Sequence, residues 1–208
     1  MSLMREPGLA IAEGPELLER DDALEQLGEA LAGVARGLSG RVVFVAGEAG
    51  SGKTALLRAF CAAAPREAVV QWATCEPLAT PRPLGPLLDL ARDLGGELHE
   101  QVSAGAPHDV AGALLREAEG RVPSVIVIED VHWADEATLD VLRLVAGRVH
   151  GVPLLLLVSY RSDQIGRTGP LRLLLGEVAP GDATLRGAVP PLSAEAVAAL
   201  AEPAGVDP

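Results

Sequence analysis

The chain has 208 residues, 49% of them apolar and only 2% aromatic, and 17 Lys and Arg against 29 Asp and Glu leave a formal charge of −12. The apolar share supplies a continuous core built from Leu, Val, Ile and Ala, and excludes global disorder. The acidic balance excludes a general DNA- or RNA-binding surface, because a uniformly negative domain repels the phosphate backbone.

Residues 1–12 read as a tag remnant, with Met1-Ser2-Leu3 before Met4, followed by a tail. Residues 13–190 read as one domain, and 191–208 as the start of a truncated helical region. Leu24, Leu27, Leu31, Val34 and Leu38 are spaced 3, 4, 3, 4, which predicts an amphipathic helix over 21–38 closed by Gly37 and Gly40. A strand follows at 41–46, a glycine-rich loop to Thr54, and a helix over 55–63 ended by Pro65. A second strand fits 68–74, where Val69 and Val70 open an apolar run through Trp72. After the bend of Pro77, Pro81, Pro83 and Pro86, helices are expected near 84–95 and 109–119. Strand three is 124–129, a helix follows Asp135, and strand four is 153–159. A short helix fits 171–178, strand five 183–189, and a last helix begins at Ser193, a good N-cap, and runs to Glu202 before Pro203. Strands alternating with helices imply a parallel sheet covered on both faces, and strands three and four lack polar alternation, as double burial requires. Cys61 and Cys75 have no metal-ligand spacing and read as buried free thiols of a reducing cytoplasm. The longest apolar run, Val152 to Val158, is too short to span a bilayer. No signal-type segment precedes the domain, so the expected location is cytoplasmic, with no membrane partner.

The stretch Gly47-Glu48-Ala49-Gly50-Ser51-Gly52-Lys53-Thr54 is G-x-x-x-x-G-K-[ST] between an apolar strand and a helix. Its glycines allow backbone angles and close approaches that a Cβ would block. Successive N–H groups from Gly47 to Thr54, with the helix N-terminus behind them, present positive charge to phosphate oxygens. Lys53 reaches for the β- and γ-phosphates, and the Thr54 hydroxyl is placed to ligate Mg²⁺. The ligand expected is therefore ATP with Mg²⁺.

Val125-Ile126-Val127-Ile128-Glu129-Asp130 is an apolar strand ending in two carboxylates. Neighbouring like charges at the end of a buried strand are costly without a cation. Glu129 is expected to hold Mg²⁺, through water, and Asp130 to orient or deprotonate the attacking water. Arg161 ends strand four, which in such a sheet lies between the phosphate-loop strand and the acid strand. It is expected beside the γ-phosphate, where it could report that group; a solvated pair with Asp163 is the alternative. Asp135 reads as a helix N-cap, Trp133 as a packing anchor, and His132 as a neighbour of the phosphate site.

The phosphate loop, Val-Ile-Val-Ile-Glu-Asp-Val-His-Trp-Ala-Asp at 125–135 and Tyr-Arg-Ser-Asp at 160–163 resemble the AAA-type ATPase domain of STAND regulators. Within these, the chain is most similar to large ATP-binding transcriptional regulators of the LuxR type. The resemblance runs from Leu17-Leu18-Glu19-Arg20-Asp21 through Pro191-Leu192-Ser193. It implies an α/β P-loop NTPase fold of AAA/ASCE type, a five-stranded parallel sheet flanked by helices. It also implies that Leu18 and Arg20 help line the adenine site, that Glu129 and Asp130 handle metal and water, and that Arg161 senses the γ-phosphate. Glu129 stands where many phosphate-loop ATPases carry Asp, one methylene shorter. The helical lid, sensor repeats and C-terminal helix-turn-helix of that family are not in this sequence.

Three functions compete: a slowly hydrolysing regulatory ATPase switch, a small-molecule kinase on the same fold, and a nucleotide-binding scaffold without turnover. A kinase usually needs a basic lid, and beyond Arg161 only Arg167 and Arg172 are arginines between strands four and five. Lys53, Thr54 and Asp130 argue against a mere scaffold. The switch is the expected function, with ATP or ADP as partner, self-association left open, and DNA contacted only through a C-terminal domain outside this chain.

Overall fold

A computed structural model describes residues 17–37, 39–119, 123–166, 168–178, 180–181 and 183–201. The elements in chain order are α1 (Asp21–Gly37), β1 (Arg41–Gly47), α2 (Lys53–Ala63), β2 (Val69–Thr74), α3 (Gly85–Leu94), α4 (Gly96–Ala104) and α5 (Pro107–Glu119). After them come β3 (Ser124–Glu129), α6 (Glu136–Ala146), β4 (Leu154–Arg161), α7 (Pro170–Glu177), β5 (Thr184–Ala188) and α8 (Ala194–Ala201). Short 3₁₀ turns cover Val131–Trp133, Val149–Gly151 and Ser162–Gln164.

The five strands pair in the order β2-β3-β4-β1-β5, every pair parallel. Alternation along each strand divides the side chains between two cores. Phe44, Ile126, Ile128, Leu154, Leu156 and Val158 pack beneath α3 to α7. Val43, Val45, Val125, Val127, Leu155 and Leu157 pack beneath α1 and α2, together with Leu27, Leu31 and Val34 of the α1 stripe and Leu56, Leu57 and Phe60 of α2. Every residue of β3 is buried, which is why its sequence shows no polar alternation.

As expected, β4 lies between the loop strand and the acid strand. It runs two residues further than its apolar pattern suggests, because Tyr160 and Arg161 stay in register with Ala46 and Gly47 of β1. The helix after the loop starts at Lys53 rather than at 55, so the loop feeds directly into its first turn. Helix α4 is absent from the sequence-based expectation: it is nine residues long with only Leu98 and Val102 buried, too little periodicity to register, and Gly95-Gly96 and Gly105 bracket it. Cys75 follows β2 directly and is buried, while Cys61 on α2 is half-buried. The residue 1–12 tail, Leu38, Arg167 and residues 202–208, with Glu202 and Pro203, lie outside the described residues. Among those described, no helix is long and apolar enough to cross a membrane.

Candidate nucleotide site

The site sits where β1, β3 and β4 end together. Strand β1 delivers Gly47, buried so tightly that a Cβ there would meet Ser51 Oγ at 2.5 Å and the Val189 carbonyl oxygen at 2.8 Å. The loop then turns through Gly50 and Gly52 at φ 73° and 90°, left-handed backbone that favours glycine. Gly52 is the N-cap of α2 and has no side chain to satisfy the helix's first N–H groups, which leaves them available to an anion. Lys53 Nζ folds back over the loop, donating to the Gly47 carbonyl at 2.9 Å and the Glu48 carbonyl at 2.8 Å. Burial holds its pKa below the ordinary lysine range; the nearby Arg161 adds to that effect while Asp130, Asp163 and Glu129 oppose it. The buried Ser51 Oγ has no hydrogen-bond partner.

Two motifs distant in sequence meet at Thr54, whose Oγ1 donates to Glu129 Oε1 at 2.6 Å. The other oxygen of that buried carboxylate accepts from Trp72 Nε1 on β2 at 3.0 Å. Asp130 follows in left-handed backbone, φ 56° and ψ 41°, which Asp tolerates better than most residues. The turn throws its carboxylate out of the strand into partial exposure. Its N–H donates to Ser159 Oγ on β4 at 3.1 Å.

His132 is enclosed between the acid turn and β4, its side chain 2% exposed. Its Nδ1 accepts the Arg161 N–H at 3.3 Å, which puts the ring proton on Nε2, a buried donor with no acceptor. Burial lowers the His132 pKa; Asp130 pulls it the other way, and Arg161 and Lys53 reinforce the lowering. The imidazole is therefore neutral at pH 7. Asp135 caps α6, accepting the Thr138 N–H at 3.1 Å, and also accepts the Leu84 N–H at 3.1 Å. Trp133 packs half-buried against the larger core.

Arg161 has its backbone beside Gly47, at the loop, yet its guanidinium turns to Asp163, Nη2 to Oδ2 2.8 Å. Leu18 lies half-buried at the start of the chain's described part. Arg20 is 4% exposed. Its guanidinium donates to three carbonyl oxygens, those of Glu19 at 2.8 Å, Ser51 at 2.9 Å and Pro190 at 2.8 Å. Glu19, also left-handed at φ 57°, accepts the Ser193 N–H at 2.9 Å. The Leu18–Arg20 turn thus joins the phosphate loop to the segment leading into α8. Beside it runs a cleft of about 610 Å³ between α1 and β5, with Arg20, Leu56, Val189 and Pro190 among its walls.

The residues fit a nucleotide triphosphate with its cation. The loop carries an unpartnered buried hydroxyl, uncapped helix N–H groups and a lysine with one unspent donor. Thr54, Glu129 and Asp130 supply hard oxygen donors, the type Mg²⁺ takes. Among the described residues no cluster of three or more His, Cys, Asp or Glu could cage a metal alone. The donor set therefore suits a cation that brings water and phosphate oxygens as most of its shell.

Sequence reasoning found both motifs but missed Trp72, Ser159 and the clamping role of Arg20. Ser159 carried a signal: one polar residue inside the apolar run of β4. Trp72 carried none, since a tryptophan in a strand reads as apolar.

The sequence profile of the AAA ATPase domain matches residues 16–158. The chain belongs to the AAA ATPase domain family, a family of nucleotide-binding domains. A stretch of 70 residues is 39% identical to an uncharacterized protein of Rhizobium meliloti (strain 1021), covering 30% of this chain and 7% of that protein. The chain therefore spans only a small part of that curated relative's length. Among solved structures, the Aeropyrum pernix ORC2 protein in its ADPNP-ADP complexes is similar with a TM-score of 0.62 and 18% identity, over 90% of this chain and 52% of that one. Drosophila ORC bound to DNA is similar with a TM-score of 0.55 and 16% identity, over 93% of this chain and 52% of that one. At such identities the likeness shows the fold, a five-stranded all-parallel sheet flanked by helices of the P-loop AAA type.

Proposed function

We propose that this chain is the ATP-binding, slowly hydrolysing switch domain of a bacterial STAND regulator of the LuxR type. The observation that carries the nucleotide half is the Thr54–Glu129 contact at 2.6 Å, which joins the phosphate loop to the acid strand. Lys53 exchanges its carbonyl partners for β- and γ-phosphate oxygens, and the loop N–H groups and Ser51 Oγ bind the remainder. Mg²⁺ supplies charge neutralisation at the phosphates when bound. Thr54 and Glu129 orient that cation, Glu129 through water, and Asp130 accepts the proton of the attacking water. The adenine is taken by the cleft beside α1, which Glu19 and Arg20 line and Leu18 adjoins in sequence, while the Arg20 guanidinium holds the loop.

In the structure described, the two cations nearest the acid turn are engaged, Lys53 on carbonyls and Arg161 on Asp163. In the ATP state Arg161 releases Asp163 and reads the γ-phosphate. The regulator half is supported by the His132-Trp133-Ala134-Asp135 sequence after the acids and by the Leu18–Arg20 turn, which ties loop geometry to the start of α8. A switch of this kind acts by differential affinity for two arrangements. The charge of −12 opposes DNA binding by this chain itself, so DNA contact belongs to a further domain.

Calorimetry with ATP and ADP, phosphate release with and without small-molecule acceptors, and a gel shift on duplex DNA test this reading. Expected are binding of both nucleotides, slow release independent of acceptor, and no shift at physiological salt. Arg161→Ala should narrow the gap between ATP and ADP affinity while sparing ADP. Brisk acceptor-dependent transfer would instead establish a kinase, and equal losses for both nucleotides would make Arg161 structural.

A further inference from the structure

Trp72 stands opposite Val127 in the β2–β3 register, and Thr74 opposite Glu129. Because side chains alternate along a strand, Trp72 shares the α2-side face with Val127 and Glu129. Its indole crosses the sheet diagonally to Glu129, so that each oxygen of one buried carboxylate has its own donor, Thr54 Oγ1 on Oε1 and Trp72 Nε1 on Oε2. An indole N–H is a donor only, so it cannot compete for a cation; it can only hold an ionised carboxylate in place. The hold matters because of which acid is present. Glutamate carries one more methylene than aspartate, about 1.5 Å of reach, and one more freely rotating bond.

We propose that Trp72 is a positioning residue for the metal step, fixing the Glu129 rotamer so that the longer acid still presents one oxygen to Thr54 and to the water shell of Mg²⁺. The inference rests on the nucleotide·Mg²⁺ reading above and deepens it: Trp72 and Glu129 form one unit, in which the indole takes up the extra reach of the acid. Partners that orient a metal's ligands in this way typically cost about 10–100-fold in metal affinity when removed.

Trp72 also packs half-buried against the α1–α2 core, so loss of packing has to be separated from loss of the bond. Trp72→Phe, Glu129→Asp and the double variant of the full chain are titrated with a fluorescent ADP analogue, in EDTA and over a Mg²⁺ series. Trp72→Phe should raise the half-saturating Mg²⁺ concentration by about tenfold, at the lower edge of that range, while leaving affinity in EDTA unchanged. In the Glu129→Asp background the same change should do nothing further, because the shorter acid no longer meets the indole; this non-additivity is what packing alone would not produce. A second readout needs no nucleotide. The chain has two tryptophans, so in a Trp133→Phe background the Raman marker of indole N–H hydrogen bonding reports Trp72 alone, and it should shift on Glu129→Ala. An unchanged marker, an unchanged Mg²⁺ requirement, or losses that multiply in the double variant would overturn the proposal. If the wild-type chain bound no nucleotide while the marker still shifted, the nucleotide reading would fall and the indole–carboxylate bond would stand.

Discussion

The phosphate loop and the acid turn meet at the Thr54–Glu129 hydrogen bond, yet they are built by different means. The loop is made of backbone: positive-φ glycines, helix N–H groups, and two cations, Lys53 and Arg20, whose hydrogen bonds all end on carbonyl oxygens. The acid turn is made of side-chain contacts between elements that are far apart in sequence: Thr54 and Trp72 on Glu129, Ser159 on the Asp130 N–H, and His132 on the Arg161 N–H. A backbone cradle binds any phosphate chain and is rigid because its geometry is local. A side-chain lattice fixes a few oxygens to within a rotamer, and each bond in it can be lost singly. Binding should therefore depend on the loop and chemistry on the turn.

The largest expected effect tests that division at its chemical end. Asp130→Asn keeps a residue type that accepts the left-handed turn but removes the carboxylate proposed as the base. Turnover should fall by about 10²–10⁴-fold, the usual worth of a general base, with nucleotide affinity unchanged. Phosphate release at saturating ATP measures it, and a wild-type rate would remove Asp130 from the chemistry. Next comes the underside of the loop. Arg20→Met leaves the buried Ser51 carbonyl and the part-buried Pro190 carbonyl without their Arg20 donor, and stranding the buried one costs about 1–3 kcal/mol. Urea unfolding should show the whole chain destabilised by that amount or more. If stability were untouched and only adenine affinity fell, Arg20 would be a base contact and not a clamp.

Those two sites also mark how far the sequence could be read. Gly47 to Thr54 was legible because a backbone cradle needs particular residue types at fixed local spacing, and the acid pair was legible because charges at the end of an apolar strand need a reason. Fold class followed from the alternation of apolar runs, and β4's central place from the family's habit. What escaped were the partners. No spacing in the chain says that Trp72 reaches Glu129 or that Arg20 reaches Ser51 and Pro190, since those distances are set by sheet order and register. Arg161 shows the same limit in another form. Its backbone lands beside Gly47 of the loop, and its guanidinium takes the carboxylate of Asp163, two residues away.

A smaller loss tests the loop from above. Lys53→Ala removes two hydrogen bonds to carbonyls in the structure described and the phosphate contact proposed for the nucleotide complex. A bond from a charged donor is worth about 1.5–3 kcal/mol, so ATP affinity should drop by that much while the fold survives. Titration of both proteins with a fluorescent ATP analogue measures it. Equal affinities would mean that the backbone amides alone hold the phosphates and would move the comparison further toward the cradle.

The smallest expected effect belongs to the acid turn and concerns pH. Burial holds the His132 pKa below its ordinary 6.5, so the folded protein resists protonating a ring that the unfolded chain protonates freely. Between the folded value and 6.5 the unfolded chain binds more protons, and stability rises with pH across that window. The contribution is full above 6.5 and is lost as pH falls toward the folded value. Protonation would also put a hydrogen on Nδ1, the atom that accepts the Arg161 N–H, so acid should undo the link between the turn and β4 before it undoes the fold. His132→Asn keeps an acceptor near that N–H and cannot titrate. Urea unfolding at neutral pH and at about pH 5 should therefore show a shallower loss of stability in the variant than in the wild type. Equal losses would mean that His132 titrates alike in the folded and unfolded chain. The lattice around Asp130 would then be no more sensitive to acid than the glycine loop it meets.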